Sequence, residues 1–112
     1  MALSQFNTPA SLQEGGSSVV LGGTVTLSPG ELAPDGLIEF CVFVVQFDQD
    51  GKPAAVARGT GEGSGTEWHA LATAGDAPLK RGKAVAAASL VVTTRAPLGF
   101  ATSTWFQEIQ LV

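Results

Sequence analysis

The sequence predicts an all-β protein, a two-layer antiparallel Greek-key β-sandwich of six to seven strands. Three observations carry this expectation. Between Gly15 and Val112 no eleven-residue window holds an apolar i, i+3, i+4, i+7 stripe free of Gly, Pro or β-branched runs, so amphipathic helices are not supported. The 14 glycines and 6 prolines fall in clusters that separate short segments rich in Val, Thr, Phe and Ala, the punctuation of strands and turns. Within several of those segments apolar and polar residues alternate, as a half-buried strand requires. A chain of 112 residues, 45% hydrophobic, is near the usual size of one domain. The expected organisation is an N-terminal segment, residues 1–16, flexible or packed as an edge strand, followed by a single sandwich domain over residues 17–112.

Taken in order, Leu3–Phe6 is a candidate seventh strand cut off by Pro9. From Val19 to Leu27 the positions Val19, Leu21, Val25 and Leu27 are apolar, and Gly22 with Gly23 marks a bulge or bend. The run Pro29–Gly36 breaks regular structure and reads as a loop. Ile38–Phe47 differs from a half-buried strand. Ile38, Phe40, Val42 and Val44 form one face, and Cys41, Phe43, Val45 and Phe47 form the other, so both faces are apolar. Asp48-Gln49-Asp50-Gly51 then makes a hairpin turn, with Gly51 free to take positive φ, and Ala54–Thr60 returns as a weaker strand.

The glycine-rich run Gly59–Gly65 is expected to be a flexible edge or crossover. Glu67–Thr73 follows with Trp68, Ala70 and Ala72 on one face. After the turn Gly75–Pro78 comes the long strand Lys83–Thr94, whose alanines put little bulk on either side. The last strand, Ala101–Leu111, puts Trp105, Ile109 and Leu111 on one face and Thr102, Thr104, Glu108 and Gln110 on the other, where Phe106 is out of place.

The strand number, the two tryptophans Trp68 and Trp105 as core anchors, and the turn Leu79-Lys80-Arg81-Gly82 before the penultimate strand together resemble an immunoglobulin-like or fibronectin type III-like domain over Val19–Val112. The resemblance is to the architecture and implies no particular activity. It departs from antibody domains in having a single cysteine and no tyrosine.

Six basic residues against ten acidic ones give a formal charge of -4, so no basic surface is available for nucleic acid. Lys80, Arg81 and Lys83 form the one basic cluster and read as a solubilising edge. One cysteine cannot close an intrachain disulfide, and Met1–Ser18 has neither a basic start nor an apolar run, so the expected location is the cytoplasm, with export inside a larger assembly as the alternative. No stretch has the length of a membrane helix.

No reaction centre is expected. His69, the lone histidine, reads as a strand residue on the outer side of a sheet, and Cys41 reads as core or interface packing instead of a nucleophile. One His and one Cys do not supply the common zinc sets. Asp48, Asp50 and Gly51 echo the opening of a calcium loop, but the glycine is at the fourth position where the loop needs it at the sixth. The glycine-rich run lacks the Lys-Ser/Thr ending of a phosphate loop. The carboxylates Glu31, Glu39, Glu62, Glu67 and Glu108 are scattered over different segments. No cofactor is implied.

A strand that is apolar on both faces needs a cover beyond the opposing layer. The expected function is therefore a non-catalytic structural or interaction module. It would act as a homodimer or a subunit of a larger assembly, with Cys41, Phe43, Val45, Phe47 and Phe106 as the interface. An internal cover by Met1–Leu12 is the competing account of the same face. A small-molecule or carbohydrate-binding module stacking its ligand on Trp68 or Trp105 is the alternative function.

Overall fold

The computed structural model describes residues 2–26, 31–32, 37–64, 67–95 and 98–112. The strands are β1 (Ala2–Phe6), β2 (Ser11–Gln13), β3 (Ser18–Thr26), β4 (Glu31–Leu32), β5 (Leu37–Phe47), β6 (Pro53–Ser64), β7 (Glu67–Ala74), β8 (Gly82–Arg95) and β9 (Leu98–Leu111), with a short 3-10 turn at Glu14–Gly16. The all-β expectation holds: no α-helix occurs among the described residues, so none is long and apolar enough to cross a membrane. Two finer expectations change. Glu31–Leu32, read as part of a loop, pairs with Thr94 and Thr93 of β8; the rest of that run, and Leu27, lie outside the described residues. Gly59–Ser64 of the glycine-rich run is the second half of β6, in the interior of the sheet; Gly65 lies outside the described residues.

All strands join one antiparallel sheet in the order β1-β3-β7-β6-β5-β8-β4, with β2 also on β3 and β9 on β8. Where the sequence predicts two layers, the hydrogen bonding runs through without a break, and the cause is β6. This strand pairs with β5 from Phe47↔Pro53 to Leu37↔Ser64 and with β7 on its other side. Its inward positions begin with buried Ala55 and Ala57 and continue as Gly59, Gly61 and Gly63. A Cβ at each of these glycines would run into a β7 carbonyl oxygen, those of Leu71, His69 and Glu67 respectively. Without side chains there, the two backbones close up and the sheet bends over its own core. The Asp48–Gly51 hairpin that feeds β6 forms as expected. Gly51 has φ 79°, and the Asp48 Oδ1 accepts the N–H groups of Asp50 at 2.9 Å and Lys52 at 3.0 Å.

Alternation then fills the curl. Val19, Leu21 and Val25, Phe40, Val42 and Val44, Trp68, Ala70 and Ala72, Leu90 and Val92, and Ile109 and Leu111 form one buried cluster. Trp68 is its centre, stacked on Phe40 with ring centroids 4.5 Å apart and meeting Phe6 edge-on at 5.4 Å. Gly23 leaves the space the indole occupies, since a Cβ there would lie 2.7 Å from Trp68 Nε1. Trp105 is not a core anchor: it shares the parity of Ile109 and Leu111 but is 40% exposed.

The curl brings β3 and β9 to the two sides of a seam, and the N-terminal segment crosses it. β1 and β2 pair with β3. Ala10 also lies parallel to Leu111, donating to the Gln110 carbonyl at 2.8 Å and accepting from Val112 N–H at 2.9 Å. Phe6 turns into the core, so this segment closes the seam and leaves the outer face of β5 open.

Candidate functional site

The residues expected to form an interface do come together, on the outer face of the sheet. Phe40, Val42 and Val44 point inward, so period two turns Cys41, Phe43, Val45 and Phe47 outward. Register then builds rows across the strands. Phe106 lies beside Ala87, Ala87 beside Phe43, and Phe43 beside Arg58. The next row is Glu108, Val85, Val45 and Val56. Phe43 is 45% exposed, Phe47 53% and Phe106 77%, while Val45 is half-buried between its neighbours.

The face has an apolar centre and a polar rim. Arg58 bounds it on β6. Beyond Phe106, Glu108 is 3.9 Å from Lys83 Nζ in an exposed ion pair, a contact worth little in water. A third row, Thr104, Ser89, Cys41 and Thr60, borders it with hydroxyl groups and the free thiol. Cys41 is exposed, where its apolar sequence neighbours suggested a covered position, because those neighbours alternate to the other side of the strand.

Beside this border an open recess of ≈ 590 Å³ is lined by Cys41, Thr60, His69, Leu71, Ser89 and Val91. It holds the lone cysteine and the lone histidine without making a dyad. Cys41 stands on β5 and His69 on β7 with β6 between them, and no hydrogen bond joins the two. His69 is exposed on the outer side, as the alternation predicts. Register also sets Glu39 opposite Glu62 and Glu62 opposite His69, a juxtaposition that separate segments of sequence do not reveal. Among the described residues no group of three or more His, Cys, Asp or Glu is placed to hold a metal ion.

The two tryptophans separate. Trp68 is buried and offers no stacking surface; its Nε1 has no hydrogen-bond partner among the described residues. Trp105 Nε1 donates to Gln107 Oε1 at 3.1 Å, and the same oxygen accepts Phe6 N–H at 3.0 Å. Comparison of the chain with protein-family models, with curated proteins and with solved structures finds no match.

Proposed function

We propose that the protein is a non-catalytic structural or protein-interaction module of immunoglobulin-like Greek-key order, self-associating through the outer face of β5, β8 and β9. The strand order supports the fold reading. β1-β3-β7-β6 and β5-β8-β9 follow the sequence of strands in the two layers of an immunoglobulin domain, joined here along the β5–β6 hairpin.

The observation that carries the association is the exposure of Phe43 and Phe47 on a strand whose other face is core. Burying such a side chain fully stabilises by about 1.5–3 kcal/mol. Three strands at about 4.8 Å spacing, along the 11 residues of β5 at about 3.3 Å each, present roughly 520 Å², about two thirds of the ~800 Å² per partner of a standard interface. The half-buried Ala87 and Ser89 keep the middle of that surface low, so a second sheet can approach.

Light scattering on the wild type and on Phe43→Asp tests this reading. The wild type is expected at twice 11.4 kDa or above, and the variant at a lower mass. Equal masses for the two would overturn it.

The partly exposed Trp105 favours a second reading, a stacking site for a small molecule or carbohydrate. It predicts a sugar-dependent change in emission that disappears in Trp105→Phe.

A further inference from the structure

The outer face carries charges of opposite sign on its two margins. Outward positions of β6, β5, β8 and β9 form rows in register: Arg58, Phe43, Ala87 and Phe106 in one, and Val56, Val45, Val85 and Glu108 in the next. Arg58 on β6 and Glu108 on β9 are therefore three strand spacings apart, roughly 14 Å, too far to pair within one copy. Arg58 is exposed and makes no ion pair among the described residues. The Glu108 carboxylate has a long, exposed contact to Lys83. Size alternates along the first row as well: Phe43 stands beside half-buried Ala87, and Phe106 stands beyond it.

We infer that two copies pack face to face about a two-fold axis that runs along the strands, midway between β5 and β8. This geometry rests on the association proposed above and adds β6 to it. Rotation about such an axis lays β6 of one copy over β9 of the other and β5 over β8, and it keeps each row at its own height. Phe43 then enters the dip over Ala87 of the second copy. Arg58 lies over Phe106 of the second copy, a cation on an aromatic face, with Glu108 of that copy one row away. Because the contact is two-fold, each pairing occurs twice.

Other axes lose these pairings. Centred on β8, a two-fold axis along the strands sets Phe43 against Phe106 and Ala87 against Ala87, large on large and small on small. Centred on β5, it sets Phe43 on Phe43. An axis running across the strands lays β6 over β6 and β9 over β9, so Arg58 and Glu108 stay apart. The midway axis also gives Phe106 a partner, where the outer side of β9 from Thr102 to Gln110 is otherwise polar. With β6 included the face widens to roughly 700 Å², nearer the ~800 Å² per partner of a standard interface.

Charge exchange tests the pairing, with dimer dissociation constants measured by sedimentation. Arg58→Glu and Glu108→Arg each bring like charges together across the contact, and each is expected to weaken the dimer roughly tenfold. For Glu108→Arg this runs against net charge, since the change moves the chain from -4 toward zero. The double variant, and an equimolar mix of the two single variants, restore opposite charges at both contacts. Each is expected to return to within about threefold of the wild type. Both positions are exposed, and circular dichroism checks the fold. Arg58→Gln, Glu108→Gln and their combination close a second cycle, in which the double variant is expected to associate no more weakly than either single one. If either reversal leaves the dimer intact, or the double variant and the mix fail to restore it, the axis is overturned; dissociation by Phe43→Asp would then leave the face reading standing. A wild type that is monomeric at every concentration overturns both.

Discussion

Gln46 and Lys80 hold each other through both ends of one amide: Lys80 N–H donates to Gln46 Oε1 at 2.8 Å, and Gln46 Nε2 donates to the Lys80 carbonyl at 2.6 Å. The side chain acts as a strand neighbour for the irregular segment ahead of β8, where the backbone lacks a ladder. Gln46→Leu removes both bonds, and the Lys80 groups then turn to water. The expected loss is about 1 kcal/mol, or roughly 4 °C in melting temperature by calorimetry. An unchanged melting temperature would mean that the amide contributes nothing.

Two glycines should respond very differently to alanine. At Gly61 the added methyl meets the His69 carbonyl oxygen and the Ala70 Cβ, parts of a paired strand that cannot move aside. Gly61→Ala is expected to cost more than about 3 kcal/mol. At Gly51 nothing lies within 4 Å, and the cost is that of placing alanine at φ 79°, about 1 kcal/mol. Urea midpoints of the two variants measure the contrast, and similar values would rule out the close approach of β6 and β7.

The tryptophans should be spectroscopically distinct. Trp105→Phe leaves the buried Trp68 stacked on Phe40, with blue-shifted emission that resists acrylamide. Trp68→Phe leaves the partly exposed Trp105, with red-shifted and readily quenched emission. Identical spectra would contradict the burial of one and the exposure of the other.

The exposed Cys41 thiol sits one register row from Phe43. It is expected to react with a thiol reagent in the folded dilute protein at a rate near that of the unfolded chain. If the outer face is an interface, the rate should fall as protein concentration rises, and Phe43→Asp should abolish that dependence. A rate that is slow at every concentration would contradict the exposure.

How much of this was legible in advance depends on how far along the chain each cause lies. The inward face of Trp68, Ala70 and Ala72, the two apolar faces around Phe43 and the Asp48–Gly51 turn follow from period two and from the φ freedom of one glycine, all local properties. The Gly59–Gly63 run was misleading for the opposite reason. Glycine reads as weakness when a strand is considered alone, and as clearance when the His69 carbonyl lies against it. Glu31–Leu32 reads as loop for the same reason, because its pairing with Thr93 and Thr94 depends on a distant strand.

The sequence by itself determined the all-β class, the alternation along each strand and the apolar character of both faces of Ile38–Phe47, because alternation needs no knowledge of neighbours. Only the tertiary structure decided that one sheet bends at β6, that residues 2–13 cross the seam to β9, that the Cys41, Phe43 and Phe47 face is the outer one, and that Trp105 stays partly exposed. Those outcomes depend on which backbones meet. Strand pairing is set between residues far apart in the chain, where no local period reaches.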